Sequence, residues 1–359
     1  MKMNRIRVLV VEDSLTVRKH LVEVLESDPD ITVVGEARDG KEAIELCQAL
    51  RPDAVTLDMM LPFLTGVAVT EHIMAYCPTP ILIVSASVNR GELFKTYDAL
   101  AAGAVDVLEK PLSDGAGDAW DRTFIGTVKL IAKIRVITHL RGRLAPRPSA
   151  RLQEAGTSLD GRTEYRAIAI GASTGGPAAV LAILRALPAK FPMPILLVIH
   201  MAESFATALS DWLDAQCGMC VRYATDGEPV PEAGQPGVLM APAGRHLEVC
   251  GGKLRLTNAP QRHSCRPSVD HLFESVAREF GPRAIACLLT GMGKDGAAGM
   301  LAARHAGAMT IAQNEASSVV FGMPAEAIRL GAATSILPLD QIAPTLVALV
   351  EGSQSGRNN

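Results

Sequence analysis

The sequence predicts two consecutive α/β domains, the first a (βα)5 unit and the second a doubly wound unit with a mostly parallel sheet. The main observation is that short apolar segments alternate with amphipathic helical segments in two separate series along the chain. Strands and helices that alternate in this way form parallel sheets covered by helices on both faces. A chain of 359 residues is also long enough for two domains that each have a hydrophobic core. Finally, a stretch without apolar periodicity separates the two series, at residues 141–163.

The first series contains apolar runs that predict five strands, at residues 7–11, 31–36, 54–57, 81–85 and 104–108. Between the first two runs, Val17, Leu21 and Leu25 recur with the period of an amphipathic helix. We expect the first domain to cover residues 1–125, with a closing helix at about residues 118–140. The following stretch, residues 141–163, is rich in Pro, Gly, Ser and Arg, which indicates a linker.

The second series is expected to form a domain at residues 164–352, followed by a disordered tail at residues 353–359. Apolar runs predict strands at residues 167–170, 194–199 and 284–289. Helical periods predict helices at residues 269–280, 297–306 and 341–350. Residues 247–257 have the pattern of a hairpin that turns at Gly251 and Gly252. The sheet of this domain should therefore be mostly parallel, with one antiparallel excursion.

The composition describes an ordinary globular protein and excludes several functional classes. A net charge of −3 provides no basic surface for nucleic acid, and no apolar run reaches the length of a membrane span. The chain starts MKMNRIRVLVVED, where acidic residues directly follow a short strand, so we expect no signal peptide. Seven cysteines, an odd number without framework spacing, favour the cytoplasm. Cys217 and Cys220 form a CxxC motif, but the absence of a second pair makes a metal or redox site the less favoured interpretation.

A glycine-rich turn, residues 171–175, is the strongest sign of chemistry in the second domain. It follows a predicted strand, fits the G-x-S-x-G pattern of a nucleophile elbow, and precedes a helix that opens with Pro177. Ser173 should therefore lie at the tip of the sheet, beside the free N–H groups of a helix N-terminus. A hydroxyl there can attack a carbonyl with oxyanion donors close by. The stretch alone leaves open a second interpretation, a turn that binds phosphate or only closes the fold.

Two further residues complete a candidate catalytic triad with Ser173. His200 ends the predicted strand ILLVIH, and Asp295 follows an apolar strand and a Gly-Met-Gly loop. Because the carboxyl ends of parallel strands meet at one edge, we expect the three side chains to converge. Taken singly, the histidine is more often structural and the aspartate more often a helix N-cap. Their order along the chain, Ser-His-Asp, also differs from the Ser-Asp-His order of α/β hydrolases.

An acidic cluster is predicted at the sheet edge of the first domain. Glu12 and Asp13 follow the first strand, and Asp58 follows the third. Converging carboxylates repel one another, so a hard divalent cation such as Mg2+ is their natural partner. Ser85 and Lys110 lie at the ends of the fourth and fifth strands, where they can contact a bound anion. The alternative is that Asp58 caps a loop and pairs with Lys110.

The first domain resembles the receiver domain of response regulators over about residues 5–125. The segments VLVVEDS, LDMMLPFLTG, VSAS and GAVDVLEKP carry the likeness. The resemblance implies that Asp58 accepts a phosphoryl group. It also implies that Glu12, Asp13 and the Met60 carbonyl help Asp58 to hold Mg2+, and that the acyl phosphate is contacted by Ser85 and Lys110.

The second domain resembles the catalytic domain of chemotaxis protein-glutamate methylesterases, the CheB family, over about residues 165–351. The motifs are IGASTGG, HM, APAGRHLEV, RPSVD, LLTGMGKDGAAGM and AQNEASSVVFGMP. The resemblance implies that Ser173 is the nucleophile, His200 the general base and then acid, and Asp295 its orienter. Backbone amides near Thr174 and Met292 are then the expected oxyanion donors.

The chain departs from both family patterns at a few positions. Receivers often carry an aromatic residue where this chain has Val107, which puts an aromatic rotamer switch in doubt. Methylesterases commonly read QHMP around the histidine, where this chain has Ile199 and Ala202. A histidine often precedes RPSVD, whereas here Cys265 holds that position and His263 lies two residues earlier. None of these changes removes a candidate triad member.

The two resemblances imply a phosphorylation-regulated enzyme of chemosensory adaptation. It would hydrolyse glutamyl methyl esters on methyl-accepting chemoreceptors to glutamate and methanol, and would deamidate receptor glutamines by the same acyl-enzyme route. Mg2+ would serve the receiver, and hydrolysis would need no cofactor. The implied partners are a chemotaxis-type histidine kinase and the cytoplasmic part of a receptor, with no nucleic acid and no membrane insertion.

Two other classes of protein are compatible with parts of the sequence. A non-catalytic two-component signalling adaptor would use the second domain only to bind a partner, but it would not need Ser173, His200 and Asp295 together. A dinucleotide-dependent enzyme would use the glycine-rich turn. However, Ser173 occupies the second glycine position of G-x-G-x-x-G, and no acidic ribose ligand follows about twenty residues on.

Overall fold

The computed structural model describes residues 5–86, 89–110, 117–134, 136 and 164–354. Over these residues the chain forms a five-stranded sheet, a seven-stranded sheet and a two-stranded hairpin. The two larger sheets belong to the first and the second predicted domain, so the predicted fold class is confirmed. The predicted linker, residues 141–163, lies outside the described residues.

The first domain is a fully parallel sheet with the strand order β2-β1-β3-β4-β5. Its strands are β1 Ile6–Val11, β2 Ile31–Ala37, β3 Ala54–Leu57, β4 Ile81–Ser85 and β5 Asp106–Glu109. The prediction of five strands is confirmed, although the last strand begins two residues later than predicted. The Ala104 N–H donates to the Ala99 carbonyl at 3.0 Å, so residue 104 closes the end of the preceding helix.

Helices cover both faces of this sheet. They are α1 Leu15–Glu26, α2 Gly40–Leu50, α3 Gly66–Tyr76, α4 Arg90–Ala101 and α5 Asp118–Ile131. The prediction that α5 reaches residue 140 is wrong. The helix ends at Ile131, the last residue of its buried face, which also includes Phe124 and Val128. Beyond it, the Ile134 N–H donates to the Ile131 carbonyl at 2.9 Å in a turn. Residues 135 and 137–140 lie outside the described residues.

The second domain contains a parallel sheet with the strand order β14-β13-β12-β6-β7-β9-β8, and an antiparallel hairpin, β10-β11. The strands are β6 Ala167–Ala172, β7 Pro194–Ile199, β8 Val221–Tyr223, β9 Gly237–Met240, β10 His246–Cys250, β11 Lys253–Thr257, β12 Ala284–Leu288, β13 Met309–Gln313 and β14 Ser335–Leu337. The predicted hairpin and the predicted mostly parallel sheet are confirmed. Strands β8, β9, β13 and β14 were not predicted from the sequence, and each is only three to five residues long.

The helices of the second domain pack on both faces of its sheet. They are α6 Gly176–Ala186, α7 Glu203–Ala206, α8 Leu209–Gln216, α9 Val269–Phe280, α10 Ala297–His305, α11 Met323–Arg329 and α12 Leu339–Gln354, with short 3-10 helices at Gly281–Arg283 and Glu315–Ser317. Because α12 runs to Gln354, the prediction of a disordered tail is wrong for residues 353 and 354. Residues 355–359 lie outside the described residues. No helix in the described part of the chain combines the length and apolarity needed to cross a bilayer.

The two domains contact each other through α4, which packs against α6 and α8. The Tyr97 ring lies 5.4 Å from the Trp212 ring, centroid to centroid, and Trp212 Nε1–H donates to Asp98 Oδ1 at 2.9 Å. At the rim of this contact, Arg90 pairs with Asp211 at 2.7 Å. A buried aromatic contact with a polar rim is typical of an interface between domains of one chain.

Candidate active site

The turn after β6 presents Ser173 as the sequence predicts. The Ser173 N–H donates to the Thr290 carbonyl at 3.0 Å, and the Gly176 N–H donates to the Ser173 carbonyl at 2.6 Å. Gly175 caps α6 with a φ of 75°, in the left-handed region that favours glycine. A Cβ on Gly175 would also lie 2.6 Å from Val319, so the tight turn requires glycine on two counts.

A second glycine brings the loop after β12 against the serine. A Cβ on Gly291 would lie 2.7 Å from the Ser173 Cβ, which is closer than two carbon atoms can approach. The loop is held in place because the Gly291 N–H donates to the Val320 carbonyl at 3.0 Å. The turn that carries Ser173 and the loop that carries Met292 therefore meet at one edge of the sheet.

His200 and Asp295 form a direct pair beside this edge. The backbone N–H of His200 donates to the Ala172 carbonyl at 3.0 Å, which holds the end of β7 next to the end of β6. His200 Nε2 lies 2.8 Å from Asp295 Oδ2, so this nitrogen carries the proton and donates it. The other ring nitrogen, Nδ1, faces Cys265 Sγ at 3.7 Å. Among the described residues, Ser173 Oγ makes no hydrogen bond with His200.

The Asp295 carboxylate is buried and fully satisfied. Besides His200 it accepts hydrogen bonds from Ser268 Oγ at 2.7 Å, the Val269 N–H at 2.7 Å and the Asp270 N–H at 3.2 Å. The last two amides belong to the N-terminus of α9, which favours a negative charge. Ser268, within the RPSVD motif, was not among the predicted site residues. A serine directly before a helix indicates an N-cap, but here the Ser268 hydroxyl donates to Asp295 and makes no capping bond, so the helix signal alone does not reveal this role.

These contacts set the protonation of the pair. Burial alone would raise the pKa of Asp295, but the hydrogen bonds from His200, Ser268 and Val269 lower it to about 2. Burial alone would lower the pKa of His200, but the contacts with Asp295 and Cys265 raise it to about 9. The imidazolium and the carboxylate therefore stabilise each other in this arrangement.

The two candidate oxyanion donors lie on the two loops that meet at Ser173. Within the described part of the chain, neither the Thr174 nor the Met292 backbone N–H donates to a protein acceptor. The Thr174 side chain is engaged, however, because its Oγ1 donates to Asp106 Oδ2 of β5 at 2.8 Å. This bond joins the receiver-like sheet to the residue beside Ser173. Burial raises the pKa of the Asp106 carboxyl, with the Val107 N–H and Thr174 hydrogen bonds opposing it.

An open pocket of about 430 Å³ borders the pair. Its lining consists of two short segments, residues 263–265 and residues 292–295. Met292 is 57% exposed at this surface, and Asp295 is 2% exposed. The pocket therefore borders the site on the side of Cys265, Met292 and Asp295.

The acidic cluster of the first domain forms as predicted. One carboxylate oxygen from each of Glu12, Asp13 and Asp58 lies within 4.8 Å of the others. Lys110 Nζ lies 2.7 Å from Glu12 Oε2 and 3.1 Å from Asp58 Oδ1. Ser85 is buried beside them, and its carbonyl accepts the Lys110 N–H at 3.0 Å. The structure thus brings together five of the six residues predicted for this site.

The charges of this cluster do not balance. Three carboxylates share one ammonium group, and burial raises the pKa of Glu12 although Lys110 opposes the shift. Carboxylate oxygens at this spacing suit a hard divalent cation, so the residues fit Mg2+. Met60, the sixth predicted residue, follows Asp58 by two positions and has a half-exposed side chain near Lys95. Its carbonyl as a Mg2+ ligand stays a prediction.

The remaining sequence predictions concern cysteines and departures from family patterns. All seven cysteines are free. Cys217 Sγ donates to the Met219 carbonyl and Cys220 is exposed, and neither belongs to a potential metal-ligand group among the described residues. Val107 packs against the main core, and Ile199 is buried at the end of β7.

Comparisons with known proteins agree with the two-domain organisation of the chain. A family model described as CheB methylesterase matches residues 168–346, and one described as response regulator receiver domain matches residues 8–117. A protein-glutamate methylesterase/protein-glutamine glutaminase of Nitrosospira multiformis is 44% identical over 96% of this chain and 97% of its own length. A Myxococcus xanthus protein of the same description is 42% identical over 98% of this chain and 99% of its own.

Solved structures similar to this chain include the CheB methylesterase catalytic domain of Thermotoga maritima. It is 37% identical, covers 52% of this chain and 99% of its own length, and has a TM-score of 0.49.

Proposed function

This chain belongs to the CheB methylesterase family, and from that premise we propose that it is a protein-glutamate methylesterase and protein-glutamine glutaminase regulated by its receiver domain. It hydrolyses glutamyl methyl esters on methyl-accepting chemoreceptors to glutamate and methanol. The observation that carries the proposal is the buried His200–Asp295 pair next to the turn that presents Ser173. We assign the catalytic domain to residues 164–352 and the receiver to residues 1–125.

We propose that Ser173 Oγ attacks the ester carbonyl carbon and that its proton passes to His200. Because Asp295 holds Nε2, the nitrogen that accepts this proton is Nδ1. Asp295 stabilises the imidazolium that forms, as in other Ser-His-Asp sites. We assign the backbone amides of Thr174 and Met292 as donors to the oxyanion of the tetrahedral intermediate, since neither has another partner among the described residues.

His200 then acts as an acid and completes the acylation step. It gives the proton to the departing methoxide, which leaves as methanol, and Ser173 keeps the acyl group. Water then attacks the acyl-enzyme, His200 takes its proton and gives it to Ser173 Oγ, and glutamate is released. With a glutamine substrate the leaving group is ammonia. The missing Ser173–His200 bond is compatible with this route, because catalytic hydrogen bonds often tighten only with substrate bound.

The receiver is proposed to be phosphorylated on Asp58 by a chemotaxis-type histidine kinase. Glu12, Asp13, Asp58 and the Met60 carbonyl would hold Mg2+, which neutralises charge on the phosphoryl oxygens when bound. Lys110 and Ser85 would contact the phosphoryl group itself. The Asp58 carboxylate attacks the phosphorus, and the histidine of the kinase leaves.

The domain interface supports an inhibitory role for the unphosphorylated receiver. The Thr174–Asp106 bond engages the residue next to the nucleophile, and α4 covers α6 directly behind it. A bulky receptor helix is excluded more strongly by such a contact than a small ester. Phosphorylation of Asp58 would shift the equilibrium towards an open arrangement. The substrate is the cytoplasmic part of a receptor, so we place the enzyme in the cytoplasm.

Methanol release from methylated receptor tests this function. The wild-type protein is expected to release methanol faster with a phosphodonor and Mg2+ than without them, and a covalent serine probe is expected to label Ser173. If the probe labels another residue and no methanol forms, the protein is a signalling adaptor, an alternative for which the comparisons give no support.

A further inference from the structure

The environment of His200 is that of a metal-binding histidine as well as that of a general base. Histidines that bind zinc almost always donate their other ring N–H to a carboxylate or a carbonyl. In His200 the Nε2–H is donated to Asp295 at 2.8 Å, so Nδ1 is the nitrogen that can bind a cation once its own proton has left. Cys265 Sγ, a soft ligand, lies 3.7 Å from that nitrogen.

This separation matches the spacing of two zinc ligands. Zinc bonds of about 2.05 Å to nitrogen and 2.3 Å to thiolate, at the tetrahedral angle, place the two ligand atoms about 3.6 Å apart. A cation can therefore bind Nδ1 and Sγ while the His200–Asp295 bond stays in place. His200, Cys265 and Asp295 indeed offer ligand atoms within 4.8 Å of one another.

Cys265 is accessible to solvent and, unlike the other exposed cysteines, lies beside a second potential metal ligand. Cys265 is partly exposed and lines the open pocket, so an ion reaches it from solvent. His263 is engaged elsewhere, because its Nε2 lies 3.2 Å from Asp270, so water would complete the coordination. Cys220 and Cys250 are more exposed than Cys265, but neither belongs to a ligand group in the described part of the chain.

We propose that Cys265 and His200 form a binding site for a soft divalent cation, with Zn2+ as the type, and that the bound cation inhibits hydrolysis. On binding, the Cys265 thiol and the Nδ1–H of the His200 imidazolium each release a proton to solvent, and bonds from sulfur and from Nδ1 to the metal form without redox change. The cation then occupies the lone pair that would take the proton of Ser173. Inhibition rests on the proposed role of His200, whereas binding does not.

Cobalt titration of the untagged full-length protein, kept reduced by a non-thiol phosphine, tests binding directly. We expect one equivalent of Co2+ to produce a thiolate-to-cobalt charge-transfer band in the near ultraviolet. The band should be absent in Cys265→Ser and Cys265→Ala and unchanged in Cys220→Ser, the matched control at an exposed cysteine. A band that persists in both Cys265 variants, or that depends on Cys220, overturns the site.

Zinc inhibition tests the consequence. Each variant is compared with its own metal-free rate, and we expect Cys265→Ser to raise the Zn2+ concentration for half inhibition by at least about tenfold. Equal inhibition of wild type and Cys265→Ser overturns the inhibitory role. The inactive variant Ser173→Ala should still show the cobalt band, so failure of the metal site and failure of the proposed nucleophile give different results.

Discussion

The two sites of this molecule occupy the same place in their sheets but satisfy their carboxylates in opposite ways. In the second domain, Asp295 accepts four hydrogen bonds, and its pKa is lowered to about 2. In the first domain, Glu12, Asp13 and Asp58 share one lysine, and burial raises the pKa of Glu12 despite that partner. The negative charge of the Asp295 site is fully stabilised, whereas the acidic cluster of the first domain carries an excess of negative charge.

This difference indicates how each site works. A preorganised carboxylate costs nothing to arrange when substrate arrives, which is what a catalytic orienter requires. A cluster with excess negative charge gains most when a cation and a phosphoryl group bind, which is what a switch requires. The Thr174–Asp106 bond is a direct link between the two sheets.

Removal of the nucleophile should have the largest effect on the preorganised site. Ser173→Ala is expected to lower kcat for methanol release by about 10⁴- to 10⁶-fold, because no other group can form the acyl-enzyme. Ser204→Ala is the matched control, since that buried hydroxyl has no partner among the described residues. Retention of more than about a tenth of the wild-type rate would refute the assignment.

The switch site should lose its chemistry through a single carboxylate. Asp58→Asn is expected to abolish labelling by a radioactive phosphodonor in the presence of Mg2+, because an amide cannot form the acyl phosphate. Asp39→Asn is the control: Asp39 caps α2, and asparagine caps a helix equally well. Labelling of Asp58→Asn would show that another residue accepts the phosphoryl group.

The pKa of His200 predicts the pH dependence of the catalytic site. The base must be neutral, and its pKa is raised to about 9, so kcat/KM should rise with pH up to that value. The gain between pH 7 and pH 9 is about 50-fold, because half of the His200 side chains are still protonated when the pH equals the pKa. Ser173→Ala serves as the blank for alkaline ester hydrolysis. A profile that levels off near pH 6.5 would contradict the stabilised imidazolium.

The Cys265 contact offers a finer version of the same test. Because Cys265 helps to raise the pKa of His200, Cys265→Ala should shift the profile to lower pH, and Cys220→Ala should not.

The hydrogen bonds to Asp295 should matter less than the residue itself. Ser268→Ala removes one charged hydrogen bond, worth about 1.5–3 kcal/mol, so kcat should fall by about 10- to 150-fold at most. KM should change little, because Ser268 lies behind the carboxylate. Ser318→Ala, which removes a hydroxyl bonded to the Asn314 carbonyl, is the control. An unchanged kcat in Ser268→Ala would mean that the α9 amides suffice.

The smallest effect is expected at the domain interface. Arg90→Glu combined with Asp98→Ala breaks two contacts across it, each worth about 1 kcal/mol or less, and should raise the unphosphorylated rate on receptor a few-fold. Rates on a small activated ester should change less. Lys41→Glu, which reverses a charge on α2 away from the interface, is the control and should leave the rate on receptor unchanged. The fragment of residues 163–352 should likewise exceed the full-length protein on receptor. Equal receptor rates would mean that the receiver recruits substrate.

Most of the fold was predictable because its signals are local. The alternation of strands and helices depends on the period of apolar residues within each segment, so β1 to β4 and α9 lie within one residue of their predicted positions. The missed strands show the limit of this reasoning. Ser335–Leu337 has only three residues, too few for a period, and it becomes a strand because β13 offers it hydrogen bonds.

The sequence by itself determined the residue types at the strand ends, and thereby the candidate Ser173, His200, Asp295 and Asp58. Only the tertiary structure decided that Asp295 binds Nε2 of His200, that Cys265 faces Nδ1, and that α9 and Asp106 reach the catalytic edge. The physical reason is that a strand end follows from neighbours in the chain. The partner of a side chain depends instead on the packing of segments tens of residues apart, which leaves no periodic signal in the sequence.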